Sequence, residues 1–202
     1  MSVAAIRCQL TEMPDGMFDH CTSLTKITMA DSIKNNIRRI GVGTFYDCPK
    51  LTTFAFGDSV AKIDACGFMG CTGLGKVTLP ESVKHIGHDA FSACQKMSEI
   101  NIPANVDSIG DHAFKDAHAL KQITMSDSVK YLGEQAFAYC QNLTSAKISK
   151  SITEIRFKTF AGCTKLTDFT LSPNITIIAD SAFQGVKCFD TLKLSNLNSV
   201  GD

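Results

Sequence analysis

One apolar pattern recurs along almost the whole of this 202-residue chain. Its most regular residue is a phenylalanine, and we call the eight copies the marker phenylalanines: Phe18, Phe45, Phe68, Phe91, Phe114, Phe137, Phe160 and Phe183. The first interval between them is 27 residues and every later interval is 23 residues. A fixed period of this length is typical of solenoids, in which each coil buries its apolar face only by stacking on its neighbours.

The spacing within one repeat predicts its local structure. Nine and eleven residues after a marker come paired apolar residues such as Ile100 and Ile102, and this period of two predicts a short strand. The marker and the residues three and six positions later, such as Phe91, Cys94 and Met97, predict a short helical or 3-10 turn. The sequence therefore predicts an α/β solenoid over residues 1–202, one domain of about eight repeats. We expect its parallel β-sheet on the concave side and the turns on the other.

Three further columns carry structural expectations. The four extra residues of the first interval lie near positions 34–39 and should bulge out as a loop. Glycines four positions before the marker, such as Gly87 and Gly110, suit a corner with unusual dihedral angles. A polar column fourteen positions after the marker, which includes Ser82 and Asn105, should face inward and bond to turn backbone of the same or next coil.

Two segments show the repeat most clearly, LGKVTLPESVKHIGHDAFSAC (74–94) and MSEINIPANVDSIGDHAF (97–114). They resemble the leucine-rich repeats of BspA-like surface proteins, which occur in oral and gut bacteria and in anaerobic protozoan parasites. The resemblance covers nearly the whole chain and implies a leucine-rich repeat solenoid. It also implies a secreted or cell-surface protein that adheres to host matrix proteins or cells. It supplies no catalytic motif.

Charge and hydropathy exclude other classes of partner. Twenty basic residues balance twenty acidic ones, so nothing in the net charge favours a nucleic acid or an anionic membrane. No apolar run is long enough for a membrane span, and the first residues do not resemble a signal peptide. The absence of a visible export signal leaves a cytoplasmic location open, and with it an intracellular scaffold for protein–protein interaction.

Most of the nine cysteines occupy one repeat position, three after the marker. Ala117 and Val186 hold the same position, so we interpret the column as buried packing rather than disulfide or metal chemistry. Cys66 lies two positions before its marker and is expected to carry an exposed thiol. Cys8 and Cys188 fit no column. No CxxC pair is present, which argues against a thiolate zinc site.

Histidines from adjacent repeats form the strongest alternative to a purely structural chain. His85, His88 and His112 are expected close together, with His88 beside Asp111 and Asp89 beside His112. We interpret this group as a solvated edge and predict no metal site and no cofactor. No nucleophile with a base and an orienting group is evident, so we predict no catalytic residue and no enzyme activity.

The solvent side of the strands is the predicted binding surface for a protein ligand. The predicted binding residues stand eight and ten positions after the markers: Thr53, Lys76, Thr78, Glu99, Asn101, Gln122, Thr124, Lys147, Asp168 and Thr170. Threonine also favours exposed strand positions for structural reasons alone, so this interpretation stays open.

Both ends of the sequence enter the pattern in mid-repeat. Ala4 and Ile6 occupy strand positions at the start, and Leu192 and Leu194 occupy them at the end. Leu197 and Val200 continue the apolar pattern one residue out of register. Uncapped ends would leave strand edges unpaired, and the sequence therefore predicts self-association through them.

Overall fold

Each repeat forms one coil of a solenoid that carries two short parallel strands. The structure is a computed structural model, and it describes residues 3–7, 9–187 and 199–200. Cys8 and Cys188, and with them Leu192, Leu194 and Leu197, lie outside the described residues. The predicted solenoid of parallel strands with a spacing of about 23 residues is confirmed.

The predicted strand recurs on one side of the coil, and we call this row the first strand stack. Its members are β1 (Val3–Ile6), β2 (Lys26–Met29), β5 (Lys76–Val77), β7 (Glu99–Ile100), β9 (Gln122–Thr124), β11 (Ser145–Lys147) and β13 (Asp168–Thr170). Pairing is parallel throughout, within the groups β1-β2, β5-β7 and β9-β11-β13. Partners such as Val77 and Ile100 lie one repeat apart, so each inward residue contacts its own equivalent in the next coil.

A second row of strands was not predicted, and we call it the second strand stack. It consists of β3 (Arg39–Ile40), β4 (Lys62–Ile63), β6 (His85–Ile86), β8 (Ser108–Ile109), β10 (Tyr131–Leu132), β12 (Glu154–Ile155), β14 (Ile177–Ile178) and β15 (Ser199–Val200). Strands β3 to β10 form one five-stranded sheet, and β12, β14 and β15 another. Val200 pairs with Ile178, which continues the stack at a spacing of 22 residues.

The marker phenylalanines form a column through the core. Phe45, Phe68, Phe91, Phe114, Phe137 and Phe160 are fully buried. Each ring stacks on the next, at centroid separations from 4.9 Å (Phe45–Phe68) to 5.7 Å (Phe91–Phe114). One continuous apolar cluster contains these rings and the inward residues of both strand stacks. Stacked aromatic surface of this kind is the main source of stability in a chain that has no long helix.

The segment around each marker is a series of tight turns with alternating hydrogen bonds. Around Phe91, the amide of Ser92 donates to Asp89 O within the coil (3.1 Å), whereas the amide of Phe91 donates to Ala113 O of the next coil (2.8 Å). Every described residue with positive φ lies two positions before or after a marker, as Asp89 (52°) and Ala93 (57°) do. These left-handed residues close the turns and leave alternate amides free to bond along the solenoid.

The glycine column has a different cause from the one that the sequence suggested. Gly87 and Gly110 do not have positive φ. A Cβ at Gly110 would instead lie 2.6 Å from His88 N and 2.7 Å from Gly87 C. Glycine is needed here because the backbones of successive coils approach too closely for a side chain.

The insertion winds into a turn of helix rather than bulging away as a loop. Helix α1 (Asp31–Lys34) is followed by Asn35, and both Ile33 and Ile37 are buried. Four residues are close to one helical turn, so an inserted turn presents a second isoleucine to the same side of the chain. The insertion therefore adds to the core.

The cysteine column is buried, as predicted, and its thiols have hydrogen-bond partners. Cys48, Cys71, Cys94, Cys140 and Cys163 are all fully buried and unpaired by disulfide. Each Sγ donates to the carbonyl of a marker in the preceding coil, for example Cys94 to Phe68 O at 3.2 Å. Burial raises the pKa of the Cys48 thiol to about 11 and that of Cys163 to about 12. The thiols are therefore protonated donors at neutral pH.

Two side-chain predictions were wrong. The polar column does not face inward: Asn105 is exposed and Ser82 is half-buried. Both bond to backbone of the preceding coil, with Asn105 Nδ2 donating to Glu81 O (2.8 Å) and Ser82 Oγ to Val60 O (2.7 Å). Cys66 is half-buried rather than exposed. Burial and then the charge of Asp89 raise the pKa of its thiol.

Candidate functional site

The predicted binding residues lie on the outer face of the first strand stack. Nine of them are exposed, and the side chain of the tenth, Thr170, is outside what the structure describes. Thr53 lies between β2 and β5 in a segment without strand structure. The parallel register places Lys76 beside Glu99, and it aligns Gln122, Ser145 and Asp168 in one row. Residues far apart in the sequence thus form one surface.

Charged and polar groups on this face already pair with one another. Lys76 Nζ lies 2.8 Å from a carboxylate oxygen of Glu99. The hydrogen bond and the charge interaction in this pair raise the pKa of Lys76 and lower that of Glu99. Ser145 Oγ donates to Asp168 Oδ2 at 2.8 Å. A partner that binds here replaces or extends these exposed contacts, each of which contributes little by itself.

Asn101 has a structural role within the same face. Its Nδ2 donates to Leu79 O (3.0 Å), and its Oδ1 accepts from Leu79 N (2.8 Å). The amide thus bonds to the neighbouring coil as a strand backbone would, and extends the pairing of β5 with β7. Both polar atoms are occupied, so Asn101 has less capacity to bind a ligand than the sequence suggested.

A shallow depression is present where β5, β7 and β9 meet. Its volume is about 390 Å³, and its lining consists of Lys76, Val77, Thr78, Glu99, Ile100, Asn101 and Gln122. Six of these residues come from only two coils. The depression suits a side chain or a short peptide segment better than an enclosed small molecule.

A second exposed group lies on the outer face of the second strand stack, and sequence reasoning missed its position. Tyr131 belongs to β10 and is 38% exposed, and Ile177 of β14 is 41% exposed. The guanidinium of Arg156 lies 4.9 Å from the centre of the Tyr131 ring and 3.2 Å from Glu154. Tyrosine and arginine are enriched among the residues that dominate protein interfaces. The missed signal was the exposed aromatic residue one position before the inward residue of an unrecognised strand.

A serine, a histidine and an aspartate meet on the second strand stack without forming a catalytic triad. His85 Nδ1 lies 2.9 Å from Ser108 Oγ and 2.8 Å from Asp107 Oδ1. A proton relay needs the carboxylate on one ring nitrogen and the hydroxyl on the other. Here both groups contact the same nitrogen, so His85 cannot pass a proton from Ser108 toward Asp107.

The other two predicted histidines do approach an aspartate. His88 Nε2 lies 2.7 Å from Asp89 Oδ2, and His112 Nδ1 lies 3.8 Å from the same oxygen. The expected contact of Asp89 with His112 is therefore present. His88 contacts Asp89 rather than Asp111, whose Oδ1 accepts from the Tyr131 hydroxyl at 3.0 Å. His88, Asp89 and His112 are the described residues that could hold a metal ion.

No helix in the described part of the chain is both long and apolar enough to cross a bilayer. The largest helix, α1, has four residues.

Similar proteins share both the repeat and the fold. The profile of the BspA type leucine rich repeat region matches residues 2–120 and 84–202, with six copies of the repeat. A leucine-rich repeat protein from Bacteroides ovatus is 31% identical, with a TM-score of 0.82 over 92% of this chain. This chain spans 50% of the length of that protein.

More distant solved structures support the fold alone. The Treponema pallidum leucine-rich repeat protein is 23% identical, with a TM-score of 0.70 over 88% of this chain and 78% of its own. The pneumococcal vaccine antigen PcpA is 15% identical, with a TM-score of 0.58 over 99% of this chain and 66% of its own. No curated protein is significantly similar to the sequence. The chain belongs to the BspA-type leucine-rich repeat family, whose repeats form non-enzymatic scaffolds for protein interaction.

Proposed function

We propose that this chain binds a protein ligand through the outer face of the first strand stack, and acts in adhesion or recognition at the cell surface. The observation that carries the proposal is the row of exposed polar residues that parallel pairing aligns across successive coils. A rigid surface of this kind suits an extended partner because each coil adds the same strip of contact. Family membership supports the surface location.

Charge supports a protein ligand of mixed polarity. Lys76, Glu99, Lys147 and Asp168 alternate in sign along the face, so a partner with interspersed charges is complementary. The depression lined by Lys76, Glu99 and Gln122 gives one anchoring point in this surface. The alternative function, an intracellular scaffold, uses the same face and differs in location and partner.

The test is a binding experiment against a panel of purified extracellular-matrix proteins and against cell lysate. Lys76, Glu99, Gln122 and Thr124 are changed together to alanine, while Asn101 is retained because it holds β7 to β5. A chain that carries Lys84→Ala and Lys130→Ala is the control, since both lysines are exposed and lie outside the strand face. Thermal unfolding shows that every variant is folded.

Loss of matrix binding in the strand-face variant, with binding kept in the lysine control, supports the proposal. Binding that survives the strand-face changes but is lost in Tyr131→Ala places the interface on the second strand stack instead. Binding confined to proteins of the lysate favours the intracellular scaffold.

A further inference from the structure

Three side chains that commonly bind transition metals converge on the surface where two coils meet. His88 and Asp89 are consecutive residues before Phe91, and His112 occupies the position of Asp89 in the next coil. One ligand atom from each residue lies within 4.8 Å of the other two. The imidazole rings of His88 and His112 are 5.0 Å apart and nearly perpendicular, at 78°. We call these three residues the His–Asp–His cluster.

The distances are close to those that a bound ion requires. Zinc lies about 2.0–2.2 Å from imidazole nitrogen and carboxylate oxygen, so tetrahedral ligand atoms are separated by about 3.4 Å. Asp89 Oδ2 is 2.7 Å from His88 Nε2 and 3.8 Å from His112 Nδ1. Changes of less than about 1 Å in these two separations produce metal-ligand geometry. Side-chain rotation alone supplies changes of that size.

The backbone beneath the cluster is held rigidly. The amide of Asp89 donates to Asp111 O (2.9 Å), and the amide of His112 donates to Glu134 O (2.8 Å). Asp89 and His112 share left-handed backbone conformations, with φ of 52° and 57°. The two Cα positions are therefore fixed by the stacking of the coils, and little ordering remains for an ion to impose.

Gln135 supplies the support that metal-bound histidines usually have. Its side-chain amide lies 3.0 Å from His112 Nε2, the ring nitrogen that faces away from Asp89. With the amide oxygen turned toward this nitrogen, Nε2 carries the proton and the lone pair of Nδ1 faces Asp89. Such outer contacts fix the tautomer and orientation of a ligating imidazole.

We propose that His88, Asp89 and His112 bind one divalent transition-metal ion, with zinc as the preferred type, through two imidazole nitrogens and one carboxylate oxygen. Two nitrogens with one oxygen suit zinc, nickel and copper, and do not suit magnesium or calcium. His88 is 49% exposed at its side chain, so the remaining coordination positions face water or a bound protein. The site replaces the solvated edge that the sequence suggested.

Zinc chloride titrated into the intact chain tests the proposal, with heat and histidine NMR signals as readouts. We expect one ion per chain, with the ring signals of His88 and His112 shifted and those of His20, His85 and His118 unchanged. Asp89→Asn and His112→Gln should abolish this binding, whereas His118→Gln should leave it intact. Gln135→Ala should weaken it about tenfold, because an outer contact to a ligand is lost.

Other outcomes overturn the proposal. One is the absence of heat and of ring shifts at His88 and His112. Another is stoichiometric binding that persists in both Asp89→Asn and His112→Gln. Loss of binding in Cys66→Ser would also overturn it, because the ion would then lie on the neighbouring thiol rather than on the two imidazoles. Circular dichroism confirms that each variant is folded.

Discussion

The rings of Phe91 and Phe114 lie 5.7 Å apart and within 2° of parallel, although 22 residues separate them in the chain. Each is fully buried and stacks on a further marker at its other side. The phenylalanine column thus links consecutive coils, and a change at one marker affects contacts with two neighbours.

We expect Phe114→Ala to lower the free energy of unfolding by about 3–5 kcal/mol, because it removes a fully buried ring from the middle of the column. Phe18→Ala is the matched comparison, since Phe18 is half-buried and stacks on Phe45 near the start of the described chain. Its loss should be smaller. Urea unfolding followed by circular dichroism measures both, and equal losses would argue against a column whose central members carry more of the stability.

Gly110→Ala should lower the free energy of unfolding by about 1–3 kcal/mol, because the new Cβ would overlap the backbone of His88 and Gly87. The control is Gly75→Ala, where the nearest atom is Thr52 O at 3.9 Å. That change should have an effect within about 0.5 kcal/mol. The same urea experiment compares them, and tolerance of alanine at position 110 would mean that the coils can move apart.

The buried thiols predict a loss of stability in alkali. An unfolded thiol has a pKa of about 8.5, whereas burial raises the pKa of Cys163 to about 12. Between these values the unfolded chain releases a proton that the folded chain retains, so stability falls as pH rises. The slope is at most about 1.4 kcal/mol per pH unit for each thiol.

Cys163→Ala should flatten the fall in melting temperature between about pH 8.5 and pH 11, because one fewer thiol differs between the two states. Ala117→Cys, which adds a thiol at the same repeat position, should steepen it. Lysine and tyrosine titrations are common to all variants and cancel in the difference. Identical pH profiles for the three proteins would show that the column does not contribute.

Thiol accessibility should follow burial. Under native conditions a disulfide-exchange reagent should modify Cys66, which is half-buried, before Cys94 or Cys140, which are fully buried. The column should react only after denaturant is added. Mass spectrometry of peptides from timed samples identifies the modified residues, and rapid native modification of Cys94 would contradict the inward assignment.

Repeat spacing determines the larger part of the fold from sequence. Columns such as Phe91–Phe114 and Cys71–Cys94 must lie on one side of the coil, because only stacked coils can bury apolar residues that recur every 23 positions. The strand nine to eleven residues after each marker follows from its alternation. The exposure of Lys76, Glu99 and Gln122 follows from the same alternation, since neighbouring strand residues face opposite sides.

Contacts between coils decided the remainder. The strands of the second stack, such as His85–Ile86, have two residues, too few to show an alternation of their own, and they exist because the neighbouring coils supply their hydrogen bonds. The glycine column depends on an approach between backbones that no single repeat contains. The contact of His88 with Asp89 rather than Asp111 arises in the same way. Sequence spacing brought these residues to adjacent coils, and only the left-handed backbone at Asp89 and His112 set the directions of their side chains.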